Sequence, residues 1–322
     1  MRRLNIVGVK SSTGIGNAFD AHARALLATT EGTIFDAREK GTLRYDETYV
    51  HGLPKLTEVF NRNYNSFGGT IAYWVWESSK VNGDFGKYVN SFKEIWTCSE
   101  YCKRVLEPLG RPVKVVPHYA SRYCYIPERS EVSTFLLSFD GGSKILRKNP
   151  AFGAEAFYKA FGDSRKVKLI IKARNVGDAL LSWVVNSAKT ANIEVIDKDL
   201  TQVEMDNLYK RIDFLLSPHM SEGFGLHILE AMAFGKIPIV SAWGGSTEYV
   251  NASNGFPIEC DEVAVSDDHY LGTWGSPKLD ATVDQLRAAA RSTSTMNKSA
   301  FDTALDMSFQ KCVRDTFNAL YE

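Results

Sequence analysis

The chain has 322 residues, 44% hydrophobic and 24% charged, with 38 Lys+Arg against 38 Asp+Glu, which is the composition of a globular protein with room for two domains. Its net neutrality lacks the concentrated basic footprint of a nucleic-acid binder, so no nucleic-acid partner is expected. The longest apolar run, residues 71–76, is far too short to cross a bilayer, and the first residues lead into a strand pattern rather than a signal peptide; a cytoplasmic location is expected. The charge is unevenly spread: residues 1–127 carry 17 Lys+Arg and 12 Asp+Glu, and residues 128–322 carry 21 and 26. The basic first half is compatible with an anionic acceptor or with peripheral contact at the inner face of a membrane. Five scattered cysteines make no zinc set, and no metal is expected.

In chain order, a strand-like run at 4–9 precedes a helix-like stretch at 17–29. A strand at 94–98, a helix at 100–109 and a strand at 113–116 follow. Then come strands at 134–139, 167–172, 193–196, 214–217 and 237–241, separated by helices at 150–161, 176–189, 202–211 and 225–235. The tail, about 299–321, is helix-like. Short continuous apolar strands with helices between them imply parallel sheets covered on both faces, an α/β fold. The alternation breaks at 122–133, a proline-bearing, charged stretch without periodicity. It reads as the linker between two doubly wound domains, 1–127 and 128–322, with the C-terminal helix a candidate to pack back on the first. Open α/β sheets bind ligands beyond the carboxyl ends of their strands, so two facing domains put the site in the cleft between them.

Three segments carry chemistry. In the loop 10–17, Gly14 and Gly16 allow close backbone approach before a helix start that favours an anion. Position 19 is Phe19 where a dinucleotide fingerprint needs its third glycine, so that fingerprint fails and a plain strand–helix turn is an equal alternative. In 139–150, Arg147 and Lys148 sit just before a helix whose first residue is Pro150. Two cations at a positive helix end have an electrostatic reason to gather when an anion joins them, which points to a diphosphate site, with a solvated basic patch as the alternative. In 217–241, Glu222 and Glu230 lie eight residues apart, separated by a Gly-Phe-Gly turn at a helix start. Two acids flanking exposed amides suit a ligand with hydroxyls at both ends and an anion in the middle. Glu230 stands in an otherwise apolar run and needs a partner, either a cation or a pair of ribose hydroxyls. Gly244-Gly245, Thr247 and Glu248 follow the next strand as a second loop beside the site.

With these residues the chain resembles the retaining glycosyltransferases of family 4, which have the GT-B fold of two Rossmann-like domains facing an interdomain cleft. Ser221-Glu-Gly-Phe-Gly-Leu-His-Ile-Leu-Glu-Ala-Met-Ala-Phe-Gly is similar to that family's Glu-x7-Glu signature. Cys98-Ser-Glu-Tyr, Val115-Val-Pro-His-Tyr and the Trp-Glu pair within Tyr73-Trp-Val-Trp-Glu-Ser resemble its landmarks in the first domain. The resemblance implies that Glu222 contacts the donor sugar and Glu230 the ribose, with Gly223 in the same loop. It implies that the amides of Phe224, Gly225 and Leu226 hold sugar and diphosphate, and that Lys148 is the diphosphate lysine. The family's partner arginine falls at Ser143 here, so Arg147 or Lys144 takes its role. Lys172 and Ile196, at strand ends of the second domain, are donor-side candidates. Glu77 stands where many relatives carry a histidine near the sugar.

The expected activity is therefore a retaining, metal-independent, hexosyltransferase-like glycosyl transfer in glycan or glycoconjugate biosynthesis. The sugar moves from a nucleotide-diphosphate sugar to a hydroxyl of a carbohydrate, lipid-linked or other acceptor, without a cofactor. A sugar-nucleotide epimerase on the same scaffold and an inactive binding protein are the alternatives.

Overall fold

The computed structural model describes residues 1–11, 14–64, 69–126, 129, 131–190, 192–292 and 295–322. Strands β1 (Arg3–Gly8), β2 (Glu31–Asp36), β3 (Glu47–His51), β4 (Gly69–Tyr73), β5 (Glu94–Thr97) and β6 (Val113–Val115) form a six-stranded sheet in the order β2-β1-β3-β4-β5-β6. Every pair in it is parallel. Strands β7 (Ser133–Asp140), β8 (Val167–Arg174), β9 (Ile193–Asp197), β10 (Phe214–Ser217), β11 (Ile237–Ser241) and β12 (Phe256–Ile258) form a second one, in the order β12-β11-β10-β7-β8-β9. It too is wholly parallel. The two α/β lobes match the expected fold class. The expected boundary between residues 127 and 128 lies outside the described residues.

Strands buried on both faces explain the continuous apolar runs. Leu136, Ile170, Leu215 and Val240 point into a core that continues into the first lobe. Their neighbours Phe135, Leu137, Leu169, Ile171, Phe214, Leu216 and Ile239 fill a separate core on the opposite face. Each such side chain is worth about 1.5–3 kcal/mol when fully buried, so a one-residue slip would exchange the two cores.

Three local differences from expectation have physical reasons. The first helix runs Gly14–Leu27, so Gly14 and Gly16 lie in its first turn rather than in a loop. A Cβ on Gly16 would run into Ser11, which accounts for its missing side chain by local packing. The helix after Gly225 spans Leu226–Met232 and stops short of Gly235. It tightens at its end, with Phe234 N–H donating to Ala231 O at 3.0 Å and Gly235 N–H to Met232 O at 2.8 Å. Finally, β13 (Cys260–Ala264) and β14 (Thr273–Pro277) make an antiparallel hairpin that the sequence pattern does not announce.

The lobes share a seam. The Ser99 hydroxyl caps the helix Glu100–Leu106 and donates to Gly223 O at 2.6 Å. Glu248 of the second lobe accepts from the first amides of that helix, Glu100 N–H at 3.0 Å and Tyr101 N–H at 2.8 Å. Cys98 and Cys102 are free thiols 3.8 Å apart in this seam. The last helix, Phe309–Tyr321, returns to the first sheet, where Arg2 Nη1 donates to Leu320 O at 2.7 Å and Lys114 Nζ to Ala319 O at 2.6 Å. Among the described residues no helix is long and apolar enough to cross a membrane.

Candidate active site

In the second sheet the chain order reverses between β7 and β10, the place where doubly wound sheets open a crevice beyond the strand ends. The loop after β7 leads into one helical turn, Ile145–Lys148, and Asn149 at φ 55° redirects the chain into the helix Pro150–Phe161. The loop after β10 carries Glu222. Across the switch point the two loops meet in a charge cluster. Lys148 Nζ is hydrogen-bonded to Glu222 Oε1, and Arg147 Nη1 lies 3.2 Å from Glu222 Oε2. Arg147 is 4% exposed and also donates to Ser221 O at 2.9 Å. Its Nη2 lies 3.6 Å from Glu77 Oε1 in the first lobe. Its Nε is buried with no hydrogen-bond partner among the described residues. Two acids and two bases thus converge from both lobes.

The electrostatics follow from burial and pairing. Burial opposes ionisation of Glu222, but Lys148 and then Arg147 outweigh it and hold its carboxyl well below the usual carboxylate range. Burial likewise opposes the Arg147 charge, and Glu77 and Glu222 override it. Two histidines border the cluster, and the Ser217 hydroxyl lies 3.1 Å from both His219 Nδ1 and His227 Nε2. Burial brings their pKa values down to about 4 for His219 and about 3 for His227, so both are neutral at pH 7.

Glu222 is fixed from behind. Gly245 N–H donates to Glu222 O at 2.8 Å, and Gly244 adopts φ 82°. A Cβ on Gly244 would press on the Glu222 backbone, which requires glycine there twice over. The Tyr249 hydroxyl lies 2.9 Å from both Phe224 O and Gly225 O and ties down the turn that precedes the helix Leu226–Met232.

The sequence candidates separate into groups. Glu77, Arg147, Lys148 and Glu222 meet directly. Lys144, weighed against Arg147 as the second cation, pairs instead with Asp267 at 3.0 Å. Gly223 lies at the seam under Ser99, and Phe224, Gly225 and Leu226 follow it into the helix. Glu230 sits in the second turn of that helix, where the Tyr209 hydroxyl donates to Oε2 at 3.3 Å. Burial pushes the Glu230 carboxyl up to about 7, with Arg122 and Tyr209 pulling the other way. Lys172 and Ile196 are register neighbours on β8 and β9. Lys172 is buried, and burial and then Arg174 lower its pKa, against the opposing charges of Asp199, Asp140 and Asp197. No described hydrogen bond or ion pair joins Lys172, Ile196, Gly14 or Gly16 to the Glu222 cluster.

Tyr270 and Trp274 of the hairpin join the site without any local sequence pattern that marks them. Tyr270 donates to Glu77 Oε2 at 3.1 Å, and Trp274 Nε1–H donates to Glu77 O at 2.7 Å. For His219 a signal is visible in the sequence, the pair of histidines, His219 and His227, that flank the Gly-Phe-Gly turn.

Residues 153–267 match a family model described as glycosyl transferases group 1. That stretch holds Lys172, Ile196, Glu222 and Glu230 but not Glu77, Arg147 or Lys148. An uncharacterized glycosyltransferase of Methanocaldococcus jannaschii is 37% identical over 75 residues, 22% of this chain and 19% of that protein's length. A glycosyltransferase from Rickettsia africae superposes with a TM-score of 0.70 over 98% of this chain and 97% of its own, at 16% identity. The HepE protein of Anabaena, solved with UDP and glucose, superposes with a TM-score of 0.68 over 99% of each chain, at 12% identity. The fold is GT-B. The family match is confined to the second lobe of this GT-B chain.

Proposed function

We propose that the protein is a retaining glycosyltransferase that moves a sugar from a nucleotide-diphosphate sugar to an acceptor hydroxyl, in cytoplasmic glycan or glycoconjugate biosynthesis. The observation that carries this reading is the pair Arg147 and Lys148, converged on Glu222 at the switch point of the second sheet. The HepE structure, which holds UDP and glucose on the same fold, supports the choice of donor class.

In this reading the diphosphate exchanges with the carboxylates at Arg147 and Lys148. Those cations then neutralise the charge that grows on the leaving phosphate as the bond to the sugar breaks. Because their charge serves this purpose, the reading calls for no metal ion. Glu222, freed from them, accepts from the sugar hydroxyls, while Glu230 accepts from the ribose hydroxyls one helical turn deeper. The acceptor hydroxyl attacks from the face that the diphosphate vacates, and a departing phosphate oxygen takes its proton. Retention follows from attack and departure on one face, and no protein nucleophile is needed. Glu77 reaches this point from the acceptor-side lobe and orients the attacking hydroxyl. The acceptor, carbohydrate or lipid-linked, approaches over the basic first lobe.

The test is a thermal-shift panel of UDP, GDP and ADP, followed by transfer from the matching labelled sugar donor. A nucleotide at 100 times its Kd stabilises by about 2.7 kcal/mol. The product linkage, read by NMR, should keep the donor's anomeric configuration. No stabilisation by any of the three nucleotides would sink the donor assignment. Label that stayed on the nucleotide would favour the epimerase.

A further inference from the structure

We infer that Tyr270, on the hairpin of the second lobe, is a positioning residue that holds Glu77 of the first lobe opposite Arg147, and that the hairpin stays docked during turnover. This deepens the reading above and rests on it.

The two oxygens of Glu77 are divided between the lobes' contacts: Oε1 lies 3.6 Å from Arg147 Nη2, and Oε2 accepts from the Tyr270 hydroxyl at 3.1 Å. Arg147 alone leaves the carboxylate free to swing, and the second hydrogen bond fixes its rotation. Burial, and next the charge of Glu77, push the Tyr270 hydroxyl above its ordinary pKa, so it stays a donor across the working pH range. The Tyr270 ring is held as well, between Trp76 at 4.8 Å and Trp274 at 5.4 Å.

The hairpin is anchored to residues 78–82 by more than this one contact. Ser78 Oγ donates to Leu271 O at 2.8 Å, Thr273 N–H to Ser79 Oγ at 2.8 Å, and Asn82 Nδ2 to His269 O at 3.0 Å. Lys80 and Leu271 form an antiparallel bridge. These polar contacts along one short stretch make a clasp beside the Glu77–Arg147 pair. A lobe motion that opened it would have to break all of them and withdraw the Tyr270 hydroxyl from Glu77.

The experiment has three arms. In the first, Tyr270→Phe keeps the ring and removes the hydroxyl, and it is measured alone and with Glu77→Gln. We expect kcat to fall about tenfold, the scale of one hydrogen bond to a charged group, with donor KM unchanged. On top of Glu77→Gln the same change should cost nothing further. An equal loss in both backgrounds would overturn the positioning role.

In the second arm, Lys80→Cys with Leu271→Cys crosslinks the clasp. Facing residues of an antiparallel pair lie about 4.5–5.5 Å apart, within disulfide range. The oxidised protein should transfer sugar within about twofold of the reduced one. Loss on oxidation that reductant restores would show that the clasp opens and overturn the inference. The third arm needs no turnover. The amides of Ser79 and Thr273 should exchange as slowly as those of β4 and β5, and exchange within seconds would overturn docking. If the wild type binds no nucleotide and transfers no sugar, the proposed function fails, and amide exchange still decides the clasp.

Discussion

Replacing Glu230 by Gln tests the most unusual acid of the site without any substrate. Glu230 has the Tyr209 hydroxyl at 3.3 Å, while the nearby cation Arg122 is engaged by Asp206 at 2.8 Å. Burial therefore dominates and raises the carboxyl from an ordinary 4.5 to about 7. The folded protein then keeps a proton that the unfolded chain releases between those values, so stability falls as pH rises from about 4.5 to 7 and is level above. At about 1.36 kcal/mol per pH unit the loss is about 3 kcal/mol by pH 8. Gln keeps the shape and cannot ionise. Urea unfolding of both proteins from pH 4.5 to 8 should show near-equal stability at the acid end. By pH 8 the variant should lead by about 3 kcal/mol. A stability difference that stays constant with pH would refute the reasoning. Nucleotide affinity should move the other way, falling about tenfold or more in the variant as the hydrogen bonds to the ribose weaken.

Arg147→Met takes the shared cation from Glu77 and from the buried Glu222, which keeps Lys148 alone. It should cost about 3–5 kcal/mol in urea unfolding and abolish measurable transfer. Lys144→Met removes only an exposed half of a surface pair, worth at most about 1 kcal/mol, and transfer should stay within about threefold; similar losses in the two variants would reverse the assignment of the second cation. Glu222→Gln should cut transfer about a hundredfold, while nucleoside diphosphate binding measured by calorimetry holds or tightens, because Arg147 and Lys148 lose a competing anion. Gly244→Ala forces a side chain into φ 82° against the Glu222 backbone and should lower stability by about 1–3 kcal/mol in thermal melts; a neutral result would mean that the two loops are not in register as described.

The second lobe was the more legible half. Its strands are buried on both faces, so runs such as Phe135-Leu136-Leu137 stand out whatever their neighbours do. β2 was hidden because it is an edge strand, half-exposed along most of its length, in the mixed sequence Glu-Gly-Thr-Ile-Phe-Asp. The hairpin was hidden for a related reason: Cys260–Ala264 is mostly exposed and carries two acids, so no apolar period marks it. Within the site, Arg147, Lys148 and Glu222 could be named from local pattern, since each lies between a recognisable strand and the helix that follows, whereas Glu77 stood out through the family resemblance. The choice between Arg147 and Lys144 could not, because it depends on Asp267, which captures Lys144 from far along the chain. The partners of Glu77 were illegible for the same reason.

The seam has a practical meaning for anyone recombining such proteins. Helix Glu100–Leu106 belongs by sequence to one half, yet its leading amides are satisfied by Glu248 of the other, and Ser99 repays the contact at Gly223. Grafting either half onto a foreign counterpart would fray that helix and loosen the stretch beside Glu222. Chimeras should therefore transplant Ser99, Gly223 and Glu248 as one inseparable trio, even though they lie on opposite sides of any natural cut.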